Sequence, residues 1–122
     1  MDGPPAVSVC PTLTVLTKRA DFVRASAARR QGTSGIHLQA RKRKPEEATG
    51  IRVGYTCSKK VGNAVARNAA KRRLREVARQ VLPQDGRDGW DYVLVGRKET
   101  TVTLPFDQLV SDLRRALTKV HS

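Results

Sequence analysis

The reading of the fold turns on KKVGNAVARNAAKRRLREVARQ, residues 59–80. Eight Lys or Arg residues surround a single acid, Glu76, while an apolar residue returns every three or four positions. On a wheel of about 3.6 residues per turn, Ala66, Ala70, Leu74, Val77 and Val81 share one stripe. That stripe predicts a helix over 63–82 with one face against a core. Arg67, Lys71, Arg75 and Arg79 form an i, i+4 ridge beside it, flanked by Asn68 and Arg72. Glu76 is expected to pair with Arg72 or Arg73, which leaves the ridge unneutralised. Like charges at this spacing oppose a helix by roughly a few tenths of a kcal/mol per pair, so the ridge reads as a surface for a polyanion. Asn63 is placed to cap the helix, and Gly62 to turn the chain into it.

The rest of the chain concentrates the same charge. The 122 residues suit one domain, with a formal net charge of +13 and a pI near 10.9. Eighteen basic residues face four acidic ones between Lys18 and Arg79, whereas from Gln80 onward there are six of each. A field localised in this way favours a binding face over a uniformly solubilising surface. No apolar run reaches the ~18 residues of a membrane span. The ridge helix carries Ala, Leu and Val rather than bulky membrane anchors. Cys10 and Cys57 lie far apart, without nearby His ligands, and read as unpaired thiols. The opening MDGPPAVSVC has an acid and prolines where a signal peptide has a basic region, so the default compartment is the cytoplasm. Asp85, Asp88 and Asp91 sit among glycines and read as turn residues, not as a metal site.

Outward from the ridge, residues 1–15 read as a flexible N-terminal arm. Residues 17–30 predict a helix capped by Thr17, with Ala20, Val23 and Ala27 on one stripe and Phe22 beside them. QGTSG then breaks the pattern. Residues 36–43 and 51–58 alternate apolar and polar, the mark of half-buried strands, and the loop between them predicts an antiparallel pair. Pro83 and two Asp-Gly turns end the basic helix. Residues 91–97 form an apolar strand. Phe106, Leu109, Val110, Leu113, Ala116, Leu117 and Val120 line one face of a C-terminal helix. The order is helix, strands, helix, strand, helix: an α+β sandwich in one domain.

A basic helix that follows a strand, with only Asn68 suited to reading a base edge, fits phosphate and shape recognition of structured RNA better than DNA readout. The stretch from Ser58 onward resembles the signature of the bacterial ribonuclease P protein component, S-K-K-x-G-N-A-V-x-R-N-x-x-K-R-x-x-R. Ser58, Lys59, Lys60, Gly62, Asn63, Ala64, Val65, Arg67, Asn68, Lys71, Arg72 and Arg75 match it. LTKRADFVR, RVGYTCSKK and DYVLVGRK resemble neighbouring parts of the family, so the likeness extends over about residues 16–116.

The resemblance implies a single α-β sandwich over 16–122, of order αβββαβα, with the ribosomal-protein-like left-handed βαβ crossover. It implies the protein subunit of a ribonucleoprotein endoribonuclease that removes the 5′ leader of precursor tRNA. Catalysis and Mg²⁺ would reside with the RNA partner, and no catalytic or metal-binding residue is expected on this chain. Arg67, Asn68, Lys71, Arg72, Arg75 and Arg79 would face the catalytic RNA. Phe22, Lys59, Lys60 and Asn63 are the candidates for the leader, with Phe22 alternatively a plain core residue. The protein is expected as a monomer in a 1:1 complex with the RNA, away from membranes. A ribosomal or assembly-type protein that binds structured RNA without cleavage is the alternative. Two departures stand out: Ala69 where the family often has arginine, for which Arg73 is a possible substitute, and Ser26, Ile36 and Gln39 where aromatic rings are common.

Overall fold

The computed structural model describes residues 13–44, 46 and 50–122. The strands are β1 (Leu13–Val15), β2 (Arg29–Gly32), β3 (Ile36–Lys42), β4 (Ile51–Cys57) and β5 (Trp90–Gly96). The helices are α1 (Arg19–Ser26), α2 (Ala64–Asp85), α3 (Thr100–Thr103) and α4 (Phe106–Val120), with a 3-10 turn at Lys59–Val61. The expected order αβββαβα is present, preceded by β1 and with the short α3 inserted before the last helix. Leu13–Val15, expected in the flexible arm, instead pair with β4; residues 1–12, and Cys10 with them, lie outside the described residues.

One five-stranded mixed sheet runs β1-β4-β5-β3-β2. The expected antiparallel pair of β3 and β4 does not form. β5 lies between them, parallel to β4 and antiparallel to β3. The chain leaves β4, runs through α2 and returns as the adjacent parallel strand, so the basic helix is the crossover of a βαβ unit. β5 suits the central place because Tyr92, Val93 and Leu94 are all buried, whereas an edge strand buries little. Most of the expected loop, residues 45 and 47–49, lies outside the described residues.

Alternation along the strands divides the core in two. Ile36, Leu38, Ala40, Ile51, Val53, Tyr92 and Leu94 face α2 and α4 and meet Leu74, Val77, Val81, Leu113 and Leu117. Each fully buried Leu or Val there stabilises the fold by about 1.5–3 kcal/mol. Opposite, Val93 meets Leu16 and Ala25, with Phe22 and Val95 packed at the margin. Among the described residues, helix α1 and Leu16 just before it cover the second face. Its expected stripe is wrong: Ala20, Val23 and Ala27 are exposed, while Asp21 and Ala25 turn inward. The helix is also shorter than expected, because Arg29–Gly32 joins β3 as an edge strand, and Lys18 rather than Thr17 holds the N-cap position.

Two polar arrangements fix the frame. The fully buried Asp91 accepts from Arg43 Nη1 at 2.6 Å and from Arg52 Nε and Nη2 at 2.8 Å each. One carboxylate on β5 thus ties the end of β3 to the start of β4. Asp91 is a strand residue, not a turn residue. Pro83 lies inside α2 rather than ending it. The helix loses the one amide that proline lacks and closes two residues later, where Gly86 N donates to Leu82 O at 2.8 Å. No helix among the described residues is long and apolar enough to cross a membrane.

Candidate nucleic-acid interface

Helix α2 starts as its sequence dictates. Gly62 holds φ at 142°, a left-handed value that favours glycine. Asn63 Oδ1 accepts from Ala66 N at 2.9 Å, which leaves its side-chain amide hydrogens outward. Just before it, Ser58 Oγ accepts from Lys60 N at 3.3 Å and closes the turn that carries Lys59 and Lys60. Both lysines are exposed.

The ridge is placed by the apolar stripe beneath it. Ala70, Leu74, Val77 and Val81 are buried, so Arg67, Lys71, Arg75 and Arg79 emerge along the border between α2 and β4. Their charges reach the β4 side chains. Burial pushes the Cys57 thiol up, against the opposing pull of the Gly96 backbone, Lys71 and Arg67. Burial likewise raises Tyr55, against Arg75 and Arg79. The Arg75 guanidinium stands 5.5 Å from the Tyr55 ring centroid, within cation–π range. Asn68 and Arg72 are exposed on the outer side.

Two expectations about this helix change. Glu76 pairs with Arg79 rather than with Arg72 or Arg73, so among the described residues Arg79 is the ridge residue with a local counter-charge. Arg73, expected as the substitute for the arginine missing at Ala69, has its guanidinium engaged within the fold. Its Nη1 donates to Val102 O at 2.6 Å and to Thr101 O at 3.2 Å, occupying late carbonyls of α3.

A cleft of about 490 Å³ lies between α1 and the sheet, lined by Thr17, Arg19, Phe22, Val23, Ser26, Gln39, Tyr55, Thr56 and Val93. None of these is acidic. The Phe22 ring lies on Gly54. A Cβ built there would stand 2.6 Å from Phe22 Cε1 and 2.7 Å from its Cζ, so only glycine leaves room for the ring. Phe22 is thus both a packing residue and a partly open wall. Of the three positions where rings were missed, Ser26 and Gln39 line the cleft. Ile36 does not; it is fully buried on the opposite face, by strict alternation with His37.

Tyr55 both lines the cleft and lies under the Arg75 guanidinium, so cleft and ridge share this residue. Lys59, Lys60 and Asn63 do not line the cleft and stand at the start of α2, past the end of β4. Tyr55 was missed because period two assigns it to the core side. A glycine inside a strand marks close approach of another group, and Gly54 was the available signal. Among the described residues there is no group of three or more His, Cys, Asp or Glu placed to hold a metal ion.

Comparison with known proteins agrees with this architecture. The family model described as Ribonuclease P matches residues 11–121. The chain is 65% identical over 121 residues to a protein of Ruegeria pomeroyi named Ribonuclease P protein component, covering 98% of this chain and 97% of that one. It is 49% identical to the protein of that name from Paramagnetospirillum magneticum, over 86% and 80% of the two chains. The fold is shared with the Staphylococcus aureus RNase P protein, at TM-score 0.68 and 24% identity over 87% and 94% of the chains. The Thermotoga maritima RNase P protein gives 0.67 and 24%, over 85% and 94%.

Proposed function

The chain belongs to the ribonuclease P protein family, and from that premise we propose that it is the protein subunit of a tRNA-processing ribonucleoprotein, binding both the catalytic RNA and the 5′ leader of precursor tRNA. The observation that carries the proposal is the continuity of ridge and cleft through Tyr55. One RNA lies along Arg67, Asn68, Lys71, Arg72, Arg75 and Arg79, and a single strand enters the cleft beside it.

In this reading the protein supplies no reacting group. The ridge neutralises phosphates of the catalytic RNA, each contact releasing counterions. Phe22 and Tyr55 give the leader an aromatic wall, and Arg19 and Gln39 give it charge and hydrogen bonds. Lys59, Lys60 and the Asn63 amide stand where the strand would pass from cleft to ridge. Mg²⁺, when bound, would supply charge neutralisation for the reaction, and the proposal places it with the RNA partner. The complex is one protein with one RNA.

The test is reconstitution. Protein, a bacterial ribonuclease P RNA and precursor tRNA are mixed at low Mg²⁺, and leader release is expected to exceed that of the RNA alone. No gain would leave a structured-RNA binder without a cleavage role. Replacing Arg67, Lys71 and Arg72 with Ala should reduce the salt slope of binding by about 2 to 3, at roughly 0.7–0.9 per phosphate contact. An unchanged slope would mean a merely solvated helix face.

A further inference from the structure

The opposite end of the sheet carries a second basic cavity that neither ridge nor cleft uses. It has a volume of about 480 Å³ and is lined by Ala28, Arg29, Ala40, Arg41, Lys42, Arg87, Trp90, His121 and Ser122. Four of these are basic and none is acidic. Trp90 opens β5 and is paired with Lys42, at the other end of the strand from Gly96, which is paired with Cys57 beside the ridge. Six residue steps along the strand, roughly 20 Å, separate the two ends. The cavity is also on the α4 side of the sheet, whereas the cleft is on the α1 side.

The charges here have unequal commitments. Arg41 is held by Asp91 at 3.7 Å, and Arg29 Nη1 donates to the Val120 carbonyl. Lys42 and Arg87 are exposed and form no ion pair among the described residues. The indole of Trp90, across the strands from Lys42 and in the same cavity as Arg87, is partly exposed, stacked offset on Tyr92 at 6.3 Å and set edge-to-face with His121 at 4.5 Å. The Arg87 amide donates to Tyr92 Oη at 2.8 Å, and that oxygen lies 2.7 Å from His121 Nε2, so the wall behind the indole is fixed. Burial, then Arg87 and Arg29, hold the His121 imidazole below its usual range.

We propose that this cavity is a second binding site for single-stranded RNA, in which Lys42 and Arg87 take backbone phosphates and Trp90 offers a face to an unpaired base. Phosphate cations around an aromatic plane are the recurring chemistry of such sites. An acidic peptide would use the cations and leave the indole without a role. Lying on the other face of the sheet, the site takes a different RNA segment from the one in the cleft. It does not depend on the cleavage role proposed above.

Trp90 is the only tryptophan in the chain, so its fluorescence reports on this cavity. The full-length protein is titrated with a short single-stranded oligouridylate. Saturable quenching is expected, and it should persist in the Arg67→Ala, Lys71→Ala, Arg72→Ala variant. Lys42→Ala with Arg87→Ala should weaken it and lower the salt slope by about 1.4, two single-strand contacts at roughly 0.7 each. Lys42→Arg with Arg87→Lys should retain it. Quenching that survives the alanine pair unchanged, or that disappears with the ridge variant, would overturn the proposal. Equal quenching by polyglutamate of matched charge would overturn it in favour of an acidic protein partner.

Discussion

Gly54→Ala tests the cleft through a residue that no ligand touches. The new methyl would lie 2.6 and 2.7 Å from two atoms of the Phe22 ring and 3.3 Å from Leu16 Cβ. Carbon atoms settle at about 3.5–4.0 Å, so the ring must move outward by about 1 Å. It has somewhere to go, because its outer side is a wall of the cleft. Overpacking of this kind costs about 1–3 kcal/mol, and an available escape route favours the lower end. Binding should suffer more specifically. A stacked base contributes about 1–3 kcal/mol, so affinity for precursor tRNA should fall by about 5-fold to 150-fold. Affinity for mature tRNA, which has no leader, should stay within about 2-fold if only the stacking term is lost. The assay is a pair of binding titrations in the presence of the catalytic RNA, with urea unfolding as the stability control. Phe22→Ala made in the Gly54→Ala background should cost precursor binding nothing further, because the two changes remove the same contact. Native discrimination between precursor and mature tRNA in Gly54→Ala would refute the placement of leader against ring. So would equal losses for both.

Three further outcomes follow from named contacts. Asp91→Asn strips the charge from a carboxylate held by Arg43 and Arg52, and should destabilise the protein by about 3–5 kcal/mol in urea unfolding; a loss below about 1 kcal/mol would show that the cluster adds nothing net. Arg73→Ala should lower stability by about 1 kcal/mol through the exposed α3 carbonyls, yet leave the salt slope of RNA binding intact; a reduced slope would make Arg73 a phosphate ligand after all. Stability should also fall on acidification. Burial, with Arg97 and Arg30, lowers His37, and burial, with Arg87 and Arg29, lowers His121, both from 6.5. Below that value the unfolded chain binds protons the folded chain refuses, so this stability is present above it and lost as pH falls. Replacing both histidines with Gln should flatten the fall around pH 6.5, and an unaltered pH dependence would count against it.

What the sequence made legible was local. Period two located β3 and β4, and the 3.6-residue beat located α2 and its buried stripe, because each pattern reports which way a side chain faces. Neither pattern reports which strand lies beside which. β3 and β4 are near in sequence and looked like a hairpin, but the strand that fits between them comes from residues 90–96. Arg29–Gly32 was invisible for another reason: an edge strand of charged residues is held by backbone hydrogen bonds to one neighbour and needs no apolar alternation. The ridge was legible because charge excess survives translation into three dimensions. The cleft was legible only in part, since Tyr55 and Ile36 sit on the same side of the alternation yet only Tyr55, near the strand end, reaches the opening. Arg73 matched the ridge in chemistry, and only the position of α3 shows that its guanidinium is spent elsewhere.

The central position of β5 bears on how the protein comes into being. When β4 has been made, β3 and β4 are both present, but the place between them is empty, and the carboxylate that links Arg43 to Arg52 lies 34 residues beyond Cys57. The chain must pass through the whole of α2 before the slot can fill. Filling it orders the sheet, fixes the crossover helix against it and sets Tyr55 beside the ridge in a single closure. A partly made chain therefore has the basic helix before it has the strand that seats it in the sheet. The ordered arrangement of the most cationic segment on its sheet is thus complete only once residues 90–96 fill the place between β3 and β4.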